Sequence, residues 1–142
     1  MRFVDGTEEE VDLVVYCTGY KITFPFLDPE VISAPDNRLD LYQRVVPPDG
    51  PGLYFIGFIQ TLGPIMPLAE AQAEWTADLL EGKAGLPSAE KMRKGVSREQ
   101  EKMAKRYVSS KRHTVEVDFH PYMRAIRKER RRRSADRRAA VP

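Results

Sequence analysis

The sequence predicts an α/β fold with a C-terminal helical extension and a basic tail. Two apolar runs, residues 11–17 and 53–59, are typical of strands that are buried on both faces. A short loop follows the second run and leads into a helix that begins at Pro67 and ends before Gly82. Because open α/β sheets bind ligands beyond the carboxyl ends of their strands, we expect the loop at residues 60–66 to face a ligand.

The rest of the N-terminal half is predicted to form the frame of this sheet. The signal Asp5-Gly6 predicts a turn that joins a first strand to the central strand at residues 11–17. Residues 21–50 are dense in proline and turn-forming residues, which indicates an irregular excursion with one short strand at residues 39–46.

Two helical regions follow the ligand-facing loop. The first is predicted to bury a stripe at helical spacing that consists of Leu68, Ala71, Trp75 and Leu79. The second, over residues 89–110, has Ser88 as its cap and a kink or break at Gly95 before a second cap at Ser97. Its thin apolar seam, Met92, Val96, Met103 and Tyr107, predicts a peripheral helix laid over the domain.

Charge separates the C-terminal end from the rest of the chain. Residues 124–138 hold nine Lys or Arg against two acidic residues, a local charge of +7, while the whole chain carries only +2. No aromatic residues interleave with these cations, which favours a solvated, disordered tail over a specific nucleic-acid interface. The predicted organisation is a main domain at residues 1–87, a helical extension at 88–123 and the basic tail at 124–142.

Several kinds of site have little support in the sequence. The single cysteine, Cys17, excludes an intrachain disulfide. His113 and His120 lack a third metal ligand at a suitable spacing, and Ser110 with His113 and Asp118 lacks the strained turn that presents a catalytic serine. We therefore predict no metal and assign no catalytic residue. No apolar run reaches the roughly 18 residues of a membrane span, and the N-terminus has no secretory signal.

Two motifs carry a resemblance to a known family. The segment VVYCTGY at residues 14–20, followed by FPFL at 24–27, resembles the Phe-Ala-Thr-Gly-Tyr signature of flavin-containing monooxygenases and its continuation. The segment IGFIQTLGPIMP at 56–67, followed by Glu70, Gln72 and Trp75, is similar to the last flavin-domain strand and helix of that family. Further matches extend the resemblance over residues 1–123, and it fades beyond them.

The resemblance implies an oxidoreductase that binds FAD and NADPH on two Rossmann-like units. Such enzymes oxygenate soft nucleophiles such as amines and sulfides, or ketones, through a flavin hydroperoxide. This chain contains no Gly-x-Gly-x-x-Gly fingerprint, so it would form the C-terminal part of a FAD-binding fold. The resemblance places Thr18 and Gly19 where the two nucleotide units join, and Gln60, Thr61 and Leu62 beside the flavin ring and the nicotinamide. It also implies that Tyr20 and Gly57 are cofactor-binding residues.

The resemblance also carries expectations about partners and location. Substrates would be small nucleophilic molecules and O2. The family's usual location is the endoplasmic reticulum membrane. This sequence lacks the hydrophobic anchor typical of that location, which leaves a cytoplasmic location open. With only part of a cofactor site, the isolated chain is expected to be inactive and to lose FAD on purification. The alternative is an inactive interaction protein that uses exposed strand edges, including self-association, and its basic tail. A third hypothesis is that an upstream segment supplies both fingerprints.

Overall fold

The computed structural model describes residues 1–50, 52–106 and 115–132. Its regular elements are a 3-10 turn at Pro35–Asn37 and three α-helices: α1 at Met66–Leu80, α2 at Ala89–Arg106 and α3 at Phe119–Arg130. Within these described ranges the backbone forms no strand, only isolated β-bridges. The predicted helices therefore form, whereas the predicted sheet does not.

Helix α1 has the ends and the buried stripe that the sequence predicts. Pro67 lies in its first turn, where a missing N–H costs nothing. Gly82 follows its last turn with φ of 68°, and the Lys83 N–H donates to the Asp78 carbonyl across 2.8 Å, which closes the helix as a Schellman motif. The predicted stripe is confirmed: Leu68, Ala71 and Trp75 are buried and Leu79 packs on the same core.

Helix α2 runs without interruption through Gly95, so the predicted kink and the second cap at Ser97 are wrong. The Ser97 hydroxyl instead donates to the carbonyl of Arg93 one turn earlier. A Cβ on Gly95 would lie 3.1 Å from Cε2 of Tyr42. The glycine therefore allows a buried tyrosine ring to lie directly against the helix backbone rather than breaking the helix.

Helix α3 packs against α1 and completes the core. Asp118 is its N-cap residue, and its inward side buries Tyr122, Ile126 and Glu129. The helix continues to Arg130, so the prediction of a disordered tail is wrong for residues 124–130. These residues are helical because Ile126, on the inward side, is buried in the core. Residues beyond 132 lie outside the described part, and the division at residues 87 and 123 stays a prediction.

The central core joins these helices to two short loop segments. It consists of Tyr42, Val45, Val46, Ile59, Leu68, Ala71, Trp75, Ala84, Met92, Val96, Tyr122 and Ile126. The strand predicted at residues 39–46 is wrong: Tyr42 and Val46 form one bridge around a tight turn in which Gln43 and Arg44 both have positive φ. The hydrophobic residues of this segment are thus buried by a turn.

The two predicted central strands are also wrong for the described residues. Residues 53–59 make one backbone hydrogen bond to a neighbouring segment, from the Phe55 N–H to the Val45 carbonyl. Residues 11–17 make none, although the turn at Gly6 forms and brings Arg2 opposite Glu8. A strand needs a neighbour that receives its backbone hydrogen bonds in series, and among the described residues one run has a single such bond and the other has none.

Candidate functional site

The loop at residues 57–62 is held in place at both ends by hydrogen bonds. The N–H of Gly57, which has φ of 76°, donates to Oε1 of Gln72 across 2.7 Å. At the other end, the Gln60 N–H donates to the Val115 carbonyl and the Val117 N–H donates to the Gln60 carbonyl, each across 2.8 Å. The backbone of this loop is therefore fixed by α1 and by the segment before α3.

A buried polar relay supports the loop from behind. Gln72 has no exposed surface, and its Nε2 donates to the Tyr122 hydroxyl across 2.6 Å. That hydroxyl donates in turn to the Gln43 carbonyl across 2.6 Å. Burial raises the pKa of Tyr122 far above its ordinary value, so the hydroxyl stays protonated and keeps its role as a donor. The relay connects α1, α3 and two loops.

Thr61 and Leu62 differ from the supported backbone around them, because among the described residues the Thr61 hydroxyl has no hydrogen-bond partner and the Leu62 side chain is uncovered. Oγ1 of Thr61 is buried, and no described group is hydrogen-bonded to it. The Leu62 side chain is 94% exposed. A buried hydroxyl without a partner costs free energy, and an exposed leucine beside it leaves apolar surface in water. Together they offer one hydrogen-bonding group and one apolar contact to a ligand.

The second predicted group, Thr18, Gly19 and Tyr20, lies in a segment without regular secondary structure. Gly19 has φ of 89°, a conformation that favours glycine, and Tyr20 is 95% exposed. Asn37 fixes the exit of this segment: its Nδ2 donates to the Tyr20 carbonyl and its Oδ1 accepts from the Ile22 N–H, each across 2.8 Å. Among the residues described, no hydrogen bond joins this group to residues 60–62, so their shared role stays a prediction.

The other chemical groups considered from the sequence do not gather into a site. Ser110 and His113 lie outside the described residues, and His120 is exposed. In the described ranges, no three His, Cys, Asp or Glu side chains come close enough together to hold a metal ion. No helix in these same ranges has the length and apolar character that crossing a membrane requires.

Sequence reasoning missed the support of the loop. Gln72 entered only as part of a family motif, and Tyr122 and Gln43 were not singled out. A glutamine in the middle of the buried stripe of α1, between Ala71 and Trp75, was the available signal, since a buried amide needs hydrogen-bond partners. Its partner on α3 is 50 residues away in the chain, a distance at which sequence spacing says nothing.

The loop has the properties expected of a surface for a planar, largely apolar organic ligand. Its backbone is fixed, Thr61 supplies a hydroxyl, Leu62 supplies apolar surface, and a Cβ on Gly63 would meet no atom within 4 Å. A flavin ring fits this description, with its polar atoms at the edge and its faces apolar. The loop is therefore a candidate contact surface for a planar organic cofactor.

The chain belongs to the flavin-binding monooxygenase-like family, whose model matches residues 2–132. It is 45% identical to rabbit (Oryctolagus cuniculus) Flavin-containing monooxygenase 5 over 127 residues, which are 87% of this chain and 24% of the relative. It is 36% identical to Dimethylaniline monooxygenase [N-oxide-forming] 2 of Rattus norvegicus over 124 residues, 85% of this chain and 23% of the relative. The recognition of the family from its motifs is confirmed.

A solved structure supports the same assignment for the fold. S-allyl-L-cysteine S-oxygenase from Allium sativum superposes with a TM-score of 0.74 at 32% identity and covers 94% of this chain, which corresponds to 31% of that enzyme. The chain therefore has the fold of part of a monooxygenase, although the Rossmann-like sheet itself does not form among the described residues. It spans about a quarter of the length of the curated relatives it matches.

Proposed function

We propose that this chain forms one wall of the flavin site of a flavin-dependent, NADPH-using monooxygenase. The reaction is the transfer of one oxygen atom from O2 to a small soft nucleophile such as an amine or a sulfide, or to a ketone. The observation that carries the proposal is the loop at residues 57–62: its backbone is fixed by hydrogen bonds, and among the described residues the buried Thr61 hydroxyl has no partner and Leu62 is uncovered. Membership of the family names flavin as the ligand.

Each residue of the loop has a distinct part in this proposal. FAD, when bound, supplies the redox chemistry that activates O2 with electrons from NADPH. Thr61 would hold the flavin through its hydroxyl as a hydrogen-bond donor, and Leu62 would supply apolar contact that excludes water from the ring. Gln60 fixes the path of the loop through its backbone. Thr18, Gly19 and Tyr20 are proposed to line the junction of the two nucleotide units.

The family assignment favours this function over a noncatalytic interaction protein. The relatives that match are monooxygenases by name, and 87% of this chain aligns with the first of them. A location at the endoplasmic reticulum membrane also belongs to the proposal and follows from likeness to the family. Because the chain spans only part of its relatives, we propose that it does not retain FAD or oxidise NADPH by itself.

A chimeric enzyme tests the proposal. The matched segment of rabbit Flavin-containing monooxygenase 5 is replaced by this chain, and retained flavin and NADPH oxidation are measured with a sulfide substrate. We expect a flavoprotein whose FAD affinity falls about fivefold in Thr61→Val, since a hydrogen bond is worth about 1 kcal/mol. Thr76→Val is the matched control, because the Thr76 hydroxyl bonds only the Gln72 carbonyl within α1.

Three results would contradict the proposal. A folded chimera without flavin would show that this chain does not form a wall of the site. Equal FAD affinities in the Thr61→Val and Thr76→Val chimeras would remove Thr61 from the proposed contact. Stoichiometric FAD and NADPH oxidation in the isolated chain would show that the chain holds a whole site rather than one wall of it.

A further inference from the structure

Helix α3 carries four cations on the side that faces away from the core. Tyr122, Ile126 and Glu129 mark its buried side. On the opposite side, within an arc of about 100° at 3.6 residues per turn, lies an exposed cationic face. We define this cationic face of α3 as Arg124, Arg127, Lys128 and Arg131, all of which are exposed.

The cationic face has no acidic residue among its members and is not neutralised by neighbours. Two other arginines near the end of α3 do form ion pairs: Arg130 with Glu74 and Asp78, and Arg132 with Glu129. The four members of the cationic face form no ion pair with any residue in the described ranges. Each member has another member three or four positions away, so like charges are adjacent on the helix surface and repel one another.

The helix dipole accounts for only part of this arrangement. Cations at the end of a helix, here Arg127 and Lys128 in the last turn and Arg131 at the C-cap, are favoured by its negative C-terminal end. Arg124 lies in the middle of the helix, beyond the range of that effect. The charge of the face as a whole is therefore not explained by the stability of α3.

Helix α2 offers a comparison, because besides Arg93, which pairs with Asp49, it has four exposed cations. Lys91, Lys94, Arg98 and Lys102 are exposed there, but Glu90, Glu99 and Glu101 lie among them. Lys94 pairs with Glu90 across 2.6 Å. The cations of α2 are thus interspersed with acids, whereas those of α3 stand together. This difference makes α2 a matched control for an effect of charge alone.

We propose that the cationic face of α3 is a docking surface for an anionic lipid bilayer, bound at the level of the phosphate head groups without insertion. The four cations lie along about 10 Å of a straight helix, which suits a plane of charge. The apolar side of α3 is buried in the core, so the helix has no exposed apolar side to insert into a bilayer. Arginine, three of the four members, binds phosphate through paired hydrogen bonds.

Other partners fit the face less well. It contains no aromatic residue on which a single-stranded nucleic acid could stack its bases, and no Asn or Gln that could contact base edges in a duplex. It has no buried apolar anchor of the kind that dominates protein–protein interfaces. Clusters of four or more Lys or Arg on one side of a helix are a recognised pattern for anionic lipids.

Vesicle co-sedimentation of the whole chain tests the proposal. Vesicles of phosphatidylcholine alone are compared with vesicles that contain phosphatidylserine as well, at low and at physiological salt. We expect binding only to the second kind, weakened by salt, and reduced at least about tenfold in the variant Arg124→Gln/Arg127→Gln/Lys128→Gln/Arg131→Gln. Circular dichroism and the urea midpoint establish that this variant is folded.

Two control variants remove a similar charge elsewhere. The first changes Lys91, Lys94, Arg98 and Lys102 on α2 to Gln, and the second changes the tail residues Arg133, Arg137 and Arg138 to Gln. We expect both to keep binding within about threefold of the unchanged chain.

The proposal is overturned if either control loses as much binding as the α3 variant, or if the unchanged chain does not bind phosphatidylserine vesicles. Tighter binding to a DNA duplex at the same salt would also overturn it, as would an α3 variant that binds normally. If the α3 variant does not fold, single Arg124→Gln and Arg127→Gln variants replace it, each with an expected loss of about twofold or more.

Discussion

Two regions of the molecule contain similar apolar runs but differ in burial. One is the packed region around α1 and α3, and the other is the N-terminal segment at residues 1–20. Trp75 and Ile126 have no exposed surface, whereas Leu13 and Val15 are 79% and 72% exposed. The packed region is also crossed by the buried relay through Gln72 and Tyr122. The N-terminal run at residues 11–17 has no backbone hydrogen bond among the described residues.

This difference shows what an apolar pattern does and does not specify. Alternation and β-branched residues indicate that a segment needs to be covered and paired, but they do not say by which residues. In the packed region the covering residues are in the same chain. For residues 11–17 they are not among the described residues, and the proposed flavoprotein function implies that the other parts of a whole monooxygenase provide them.

The largest expected effect tests the packed side of the comparison. Trp75→Ala removes the largest fully buried side chain and should lower the free energy of unfolding by about 3 to 5 kcal/mol. Tyr16→Ala, at a side chain that is 82% exposed, should change it by less than about 0.5 kcal/mol. Urea unfolding followed by circular dichroism measures both. Similar losses in the two variants would mean that the N-terminal segment is packed in solution.

The relay through Tyr122 gives the next largest effect. Tyr122→Phe leaves the Gln72 amide and the Gln43 carbonyl without their partner, and should cost about 1 to 3 kcal/mol. Tyr20→Phe, at an exposed tyrosine, is the matched control. In a double-mutant cycle with Gln72→Leu, the combined loss should be smaller than the sum of the single losses. Additive losses would show that the two side chains do not interact.

Alkaline pH should destabilise the packed region. Burial raises the pKa of Tyr122, and burial together with the charge of Glu129 raises the pKa of Tyr42. Both hydroxyls therefore stay protonated in the folded protein after they ionise in the unfolded chain, near pH 10. The contribution of these two tyrosines to the free energy of unfolding is fully present below about pH 10. Above that pH it falls by up to about 1.4 kcal/mol per pH unit for each tyrosine.

Urea midpoints between about pH 9 and about pH 11 measure this slope, and Tyr122→Phe should reduce it. An unchanged slope in that variant would mean that Tyr122 ionises as it does in water.

Gly95 gives a smaller effect that concerns α2. Gly95→Ala improves helix propensity but places a methyl group 3.1 Å from the buried ring of Tyr42. Overpacking should outweigh propensity and leave a net loss of about 1 kcal/mol. Ser97→Ala, at an exposed position of the same helix, should be close to neutral. Thermal unfolding of both variants distinguishes the close approach of the Tyr42 ring to α2 from a break in α2 at Gly95. At a break, the alanine of Gly95→Ala would raise the stability of the protein.

The smallest effect concerns the ligand-facing loop. Since the Thr61 hydroxyl is buried without a partner, Thr61→Val should leave the stability of the isolated chain unchanged or raise it by up to about 0.5 kcal/mol. A clear loss, measured by urea unfolding, would show that the hydroxyl already has a partner in the isolated chain. This outcome would weaken its proposed role as a donor to flavin.

The sequence predicted local structure well where the cause was local. Pro67, Gly82 and the stripe through Trp75 set the position of α1 without help from distant residues. It failed where the cause was distant: Gly95 indicated a break because Tyr42 could not be seen behind it, and Tyr122 could not be connected to Gln72. The strand, loop and helix pattern predicted that residues 60–66 face a ligand, the family motifs named flavin as that ligand, and the buried polar groups that support the loop came only from the structure.

Amide hydrogen exchange, measured along this chain alone and in the chimera with FAD, tests the account most directly. In the isolated chain we expect protection in α1 and α3 and none at residues 11–19. In the chimera with FAD, residues 11–19 and the amides at Thr61 and Leu62 should become protected, because neighbouring strands and the cofactor then cover them. Protection at residues 11–19 in the isolated chain, or unchanged exchange at Thr61 and Leu62 in a chimera that has bound FAD, would contradict the account.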